Sequence, residues 1–256
     1  MGAEPVLPEV LAWAASAATA ADDAAGGRLR AAYLHGSAVL GGWSRRSDVD
    51  LLLILADDAG EPAAAAAGDA LTATATRCPG AGLEASVVSA AHARSAAAPW
   101  PFLVHVNTVG QPPRIVPGAG HRGDPDLLMH YVVCRAAGVA VAGPSADTLI
   151  GAVPRPVVLR YLADEMRWGQ EYGAERYSVL NACRALCYLT DGRVVSKLAG
   201  GQDALRRGWG PTEVIERALT AQRSGSPGAD PAAGEAAAFV LAVAAKLDAA
   251  AEAAPA

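Results

Sequence analysis

The chain has 256 residues, room for one large domain or two small ones, and 61 of them are alanine, which lifts the apolar fraction to 52% without large side chains. A net charge of −5 and a pI of about 5.5 argue against a large basic surface for duplex nucleic acid, though not against a local basic pocket. No uncharged apolar run of about 18 residues exists, which argues against a transmembrane helix.

Residues 1–11 carry Glu4 and Glu9 and no basic residue, so they do not read as a secretory signal. Residues 8–24 read as a helix ended by Gly26 and Gly27. A short strand over 31–35 stops at Gly36 and Ser37, and a glycine- and arginine-rich loop follows over 41–47. Residues 48–55, DVDLLLIL, form a nearly continuous apolar run, as expected of a strand covered on both faces. Residues 61–76 are alanine-rich and helical, 83–88 (LEASVV) alternate as a strand, and 102–108 (FLVHVNT) form another before Pro112 and Pro113. Helices are expected over 126–137, 156–171, 175–190, 212–224 and 234–253, with a Gly/Pro/Ser/Ala linker over 224–233 and a frayed terminus. Gly151, Pro154 and Pro156 cluster near the boundary, beyond which no strand of useful length is found. The expected organisation is an α/β domain with a mixed sheet over residues 1–152 and an all-α helical bundle domain over 153–256.

Cys78, Cys134, Cys183 and Cys187 form no CxxC pair, and the five histidines show no ligand spacing. Cys183 and Cys187 read as small buried apolar residues, and the expected location is the cytoplasm.

The chemistry concentrates in residues 34–55, LHGSAVLGGWSRRSDVDLLLIL. A strand ends in Gly36 and Ser37, ten residues follow (38–47), and Asp48 and Asp50 stand at the start of the apolar strand. Two carboxylates at i and i+2 of a strand share a face. At that distance they repel, and a divalent cation removes the conflict. Mg²⁺ takes one or two carboxylates together with water and substrate phosphates. Gly36 admits close approach of a ligand, and the turn with Ser37 can cradle a phosphate. Glu84, on the next strand, could stand beside the pair, bridge metals, or take a proton from an attacking hydroxyl.

This pattern resembles the polymerase-beta-like nucleotidyltransferase superfamily. Within it, the chain looks like the bacterial 3''(9)-type aminoglycoside adenylyltransferases, which confer streptomycin and spectinomycin resistance. The similarity runs over roughly residues 28–210 and includes LHGSAV, SDVDLL, LEASVV, DPDLL, VAVAGPSADTL and AERYSVLNACRALCYLTDGRVVSKLAG. The resemblance implies a nucleotidyltransferase domain followed by a helical domain, Mg²⁺ as cofactor and ATP as co-substrate. It implies that Asp48, Asp50 and Glu84 hold the metal, with Glu84 also deprotonating the acceptor hydroxyl. Ser37, Ser47 and Asp126 would contact ATP, and Arg184 and Lys197 would reach the triphosphate, the helical domain closing on it. Set in an apolar helix face, Arg184 is expected to need a phosphate or carboxylate partner.

On the acceptor side the chain departs from the family. Ala174 stands where an Asp usually precedes Glu-Arg, and Tyr177 replaces a small polar residue or histidine. Residues 107–110 lack the Trp that stacks on streptomycin. Trp168, Glu171 and Glu175 remain as candidate acceptor contacts. Arg45 and Arg46 read as solvated. The expected activity is ATP-dependent transfer of AMP to an aminocyclitol or aminoglycoside, with spectinomycin favoured over streptomycin and pyrophosphate released. The expected partners are ATP and a small-molecule hydroxyl acceptor, with no nucleic acid or membrane, and the expected state is a monomer. The alternatives are the same chemistry on a protein, tRNA or metabolite hydroxyl, and a nucleotide-binding protein without activity.

Overall fold

The computed structural model describes residues 5–110, 112–173, 175–225, 231 and 233–253. Most of the 224–233 linker expectation, and the frayed last residues, therefore lie outside the described residues. The chain divides into two compact units, Met1–Val153 and Pro154–Ala256. Among the described residues no helix is long and apolar enough to cross a membrane.

The first unit is built on β1 (Leu29–His35), β2 (Val49–Leu55), β3 (Leu83–Ser89), β4 (Val104–Asn107), β5 (Arg114–Pro117) and β6 (Val139–Ala142). They form one mixed sheet in the order β5-β4-β3-β2-β1-β6, in which only β2 and β3 are parallel. The run VDLLLIL becomes β2 because its apolar side chains are buried on both faces, the position a central strand occupies. Helices α1 (Pro8–Ala24) and α3 (Gly60–Ala75) pack on one face. Their buried positions are mostly small: Ala14, Ala17, Ala18 and Ala21 on α1, and Ala64, Ala67 and Gly68 on α3. These alanines let the helices pack closely. α5 (Leu127–Ala137) lies on the other face, against β1.

Between these elements lie α2 (Ser37–Leu40), α4 (Ala90–Ser95) and α6 (Ala146–Leu149). The ten residues expected as loop after Ser37 therefore begin with a helical turn. β5 and β6 were not expected; both are four-residue edge strands, and β5 is mostly exposed, so neither leaves a clear period in the sequence.

The second unit contains α7 (Arg155–Glu171), α8 (Glu175–Asp191), α9 (Lys197–Arg207), α10 (Thr212–Ser224) and α11 (Ala233–Ala253). α8 packs against the other four, and its buried residues run almost continuously from Ser178 to Cys187. Met166, Leu180, Cys183, Ile215, Val240 and Leu247 lie in the shared core. α9 was not expected, since Gly200 and Gly201 are poor helix formers. Packing reverses that preference: a Cβ at Gly200 would lie 2.9 Å from the Arg184 side chain, and one at Gly201 2.7 Å from Leu219. Ser196 caps the helix by accepting the Ala199 N–H at 3.2 Å.

Candidate active site

Strand register builds the site. Asp50 pairs with His35 on β1 and with Glu84 on β3; Glu84 pairs with Asn107 on β4, and Asn107 with Arg114 on β5. Residues paired across a sheet share a face, so one row of polar side chains crosses five strands on the face carrying α5. Asp48, expected as the first residue of the strand, precedes the first paired residue of β2 and lies one position outside the observed strand. Carboxylate oxygens of Asp48, Asp50 and Glu84 nevertheless lie within 4.8 Å of one another, and the three could hold a metal ion. Carboxylates alone suit a hard cation.

The charge crowding shows in the proton affinity of Glu84. Burial, and then the negative charges of Asp48, Asp126 and Asp124, push its pKa up from 4.5 to about 7. A nearby cation would reverse that effect.

Gly36 ends β1 with φ of +64°, and a Cβ there would sit 1.8 Å from Asp50 Oδ2. The turn and the close approach of the carboxylate both require glycine. The next residue, Ser37, has a buried hydroxyl without a hydrogen-bond partner among the described residues. An oxyanion held at this turn would satisfy it. Ser47 lies in the loop on the other side, where its hydroxyl accepts the Ser44 N–H at 3.2 Å. Arg45 is ion-paired at the surface with Glu9 at 3.0 Å, so it is engaged with protein and not only with water.

Asp126 stands immediately before α5, and its N–H donates to Asp124 Oδ1 at 3.0 Å. The Asp124 N–H in turn donates to the Trp100 carbonyl at 2.9 Å. Both carboxylates act on Glu84, and Asp124 is a site residue that sequence reasoning missed; the repeated Asp in DPD was its only signal. Two histidines were also missed: the buried His35, which belongs to the row, and the half-buried His130 beside it. The His35 and His130 rings are 4.7 Å apart, and burial pulls both below the usual histidine range. They come from β1 and α5, 95 residues apart, and no local spacing marks them.

The other expected residues belong to the second unit. The Arg184 Nε donates to the Val195 carbonyl at 2.8 Å and its Nη1 to Asn181 Oδ1 at 3.1 Å. Two of its nitrogens are thus served by neutral oxygens. Lys197, the first residue of α9, places its ammonium 4.7 Å from the centre of the Tyr177 ring. The Tyr177 hydroxyl donates to Glu165 at 2.9 Å, and its ring meets Trp168 edge-on at 6.0 Å. Trp168 also lies 5.1 Å from Tyr172, and these two aromatics are 47% and 66% exposed. Glu171 is exposed and Glu175 half-buried near the same helix ends. Cys183 and Cys187 are buried free thiols, as expected.

Residues 148–246 match the family model of the aminoglycoside adenylyltransferase C-terminal domain. No curated protein matches the chain by sequence. Among solved structures the chain is similar to the spectinomycin adenyltransferase AAD(9) from Enterococcus faecialis, crystallised with ATP and spectinomycin. The identity is 17% and the TM-score 0.60, over 91% of this chain and 96% of that one. That likeness shows a shared fold, a mixed α/β core followed by helices. The family-model match concerns the C-terminal part of the chain alone.

Proposed function

We propose that the chain transfers AMP from ATP to a hydroxyl of an aminocyclitol or aminoglycoside, releasing pyrophosphate, with spectinomycin preferred over streptomycin. The observation that carries the proposal is the convergence of Asp48, Asp50 and Glu84 beside the Gly36–Ser37 turn. In this reading the three carboxylates hold Mg²⁺, which when bound neutralises the triphosphate and stabilises charge developing on the phosphoryl oxygens. Ser37 and Ser47 bind phosphate oxygens, and Asp126 holds ATP at the N-terminal end of α5. Arg184 and Lys197 supply the positive charge for the triphosphate.

Glu84 accepts the proton of the acceptor hydroxyl. The freed oxygen forms a bond to the α-phosphorus, and the bond from that phosphorus to the β-phosphate oxygen breaks. Pyrophosphate carries away the electron pair.

Trp168, Glu171 and Glu175 are the proposed acceptor contacts, an aromatic face with acidic neighbours suited to a polycation. The preference for spectinomycin rests on the absence of an aromatic over residues 107–110 and on Ala174 in place of an acid. Those same departures favour the second reading, an identical transfer to another hydroxyl compound. Expression in a sensitive host tests the choice. Raised tolerance to spectinomycin, lost in E84A, is expected; unchanged tolerance to both drugs would overturn the drug assignment.

A further inference from the structure

The three acids of the site are not held equally. Asp50 and Glu84 lie inside strands, each paired on both sides. Asp48 stands outside the ladder, whose first β2–β3 pair is Val49 with Leu83. Its peptide group is held by two hydrogen bonds: on one side the Val49 N–H donates to the Gly82 carbonyl at 2.9 Å, and on the other the Trp43 Nε1–H donates to the Asp48 carbonyl oxygen at 3.0 Å.

The indole is itself wedged. A Cβ on Gly80 would lie 3.4 Å from the Trp43 ring and 2.3 Å from the Ser47 carbonyl oxygen. That carbonyl accepts the Ala81 N–H at 2.8 Å, and the Gly82 carbonyl accepts the Val49 N–H at 2.9 Å. The segment leading to Glu84 is thus stitched to the segment leading to Asp48, with the indole at the join. Glycine at position 80 leaves room for both contacts.

We propose that Trp43 is a positioning residue for the cation site: by holding the Asp48 peptide it aims that carboxylate at the point where Asp50 and Glu84 meet. The inference rests on the adenylyltransferase reading, in which these acids bind a divalent cation. Groups that orient metal ligands strongly affect affinity when removed. Here one neutral hydrogen bond acts through the backbone, so the effect is smaller.

Mn²⁺ titration of the purified full chain, followed by electron paramagnetic resonance, tests the proposal without turnover. W43F keeps an aromatic ring against Gly80 and deletes the donor. It should bind Mn²⁺ about 3- to 10-fold more weakly than the wild type. W43H, smaller but with a ring N–H, should bind more tightly than W43F. In turnover assays W43F should need correspondingly more Mg²⁺, with the KM for the acceptor unchanged. Equal Mn²⁺ affinity in W43F and wild type, or a W43H weaker than W43F, would overturn the inference. A wild-type chain with no Mn²⁺ site would overturn the adenylyltransferase reading and the inference together, a result distinct from the first.

Discussion

Removing the charge of Glu84 should stabilise the protein at alkaline pH in the absence of divalent cations. Burial and the neighbouring acids raise its pKa from 4.5 to about 7 in the folded chain. A carboxyl with a raised folded pKa contributes stability that is complete below pH 4.5 and is lost as the pH rises through 7. At about 1.4 kcal/mol for each pKa unit, ionised Glu84 costs the fold about 3 kcal/mol at pH 8. The same linkage gives about 1 kcal/mol at pH 5. Glutamine keeps the shape and removes the titration. Urea denaturation of E84Q and wild type in EDTA, at pH 5 and pH 8, measures the difference directly. E84Q should be the more stable at pH 8 by about 3 kcal/mol, with most of that gain gone at pH 5. Adding Mg²⁺ should stabilise the wild type and leave E84Q nearly unchanged. An E84Q no more stable than wild type at pH 8, or a gain independent of pH, would refute the electrostatic account of the acid cluster.

Two further substitutions separate the parts of the site. G36A places a Cβ 1.8 Å from Asp50 Oδ2 at φ of +64°; it should abolish transfer and lower stability by about 1–3 kcal/mol, read by pyrophosphate release and thermal unfolding. K197A should fold normally and raise the KM for ATP by at least about tenfold, as loss of one charged phosphate contact does; an unchanged ATP affinity and rate would remove Lys197 from the nucleotide site.

The parts of the fold and site that could be read from the sequence are those with local patterns. The continuous run VDLLLIL announced a central strand, and the alternation in LEASVV announced its parallel neighbour. Glu84 could be placed beside Asp50 because both open apolar strands, and register puts them directly opposite. Other features depend on tertiary contact and left little local trace. α9 forms through its glycines because neighbours need the space those residues leave, whereas intrinsic propensity points the other way. The bonds from Arg184 to the Val195 carbonyl and to Asn181 Oδ1 likewise depend on the fold around α8. Trp43 read as one residue of a loop, and only the fold brings its indole to the Asp48 carbonyl. The edge strands β5 and β6 are too short to show a period.

The central claim is adenylyl transfer to an aminocyclitol or aminoglycoside, and drug-dependent pyrophosphate release measures it most directly. Purified chain with Mg²⁺ and ATP is assayed with spectinomycin, with streptomycin and with no drug, using E84A as the blank. Release that requires spectinomycin and disappears in E84A is the result expected. No release above the blank with either drug, from a protein that binds ATP, would contradict the claim and move the acceptor to another hydroxyl compound.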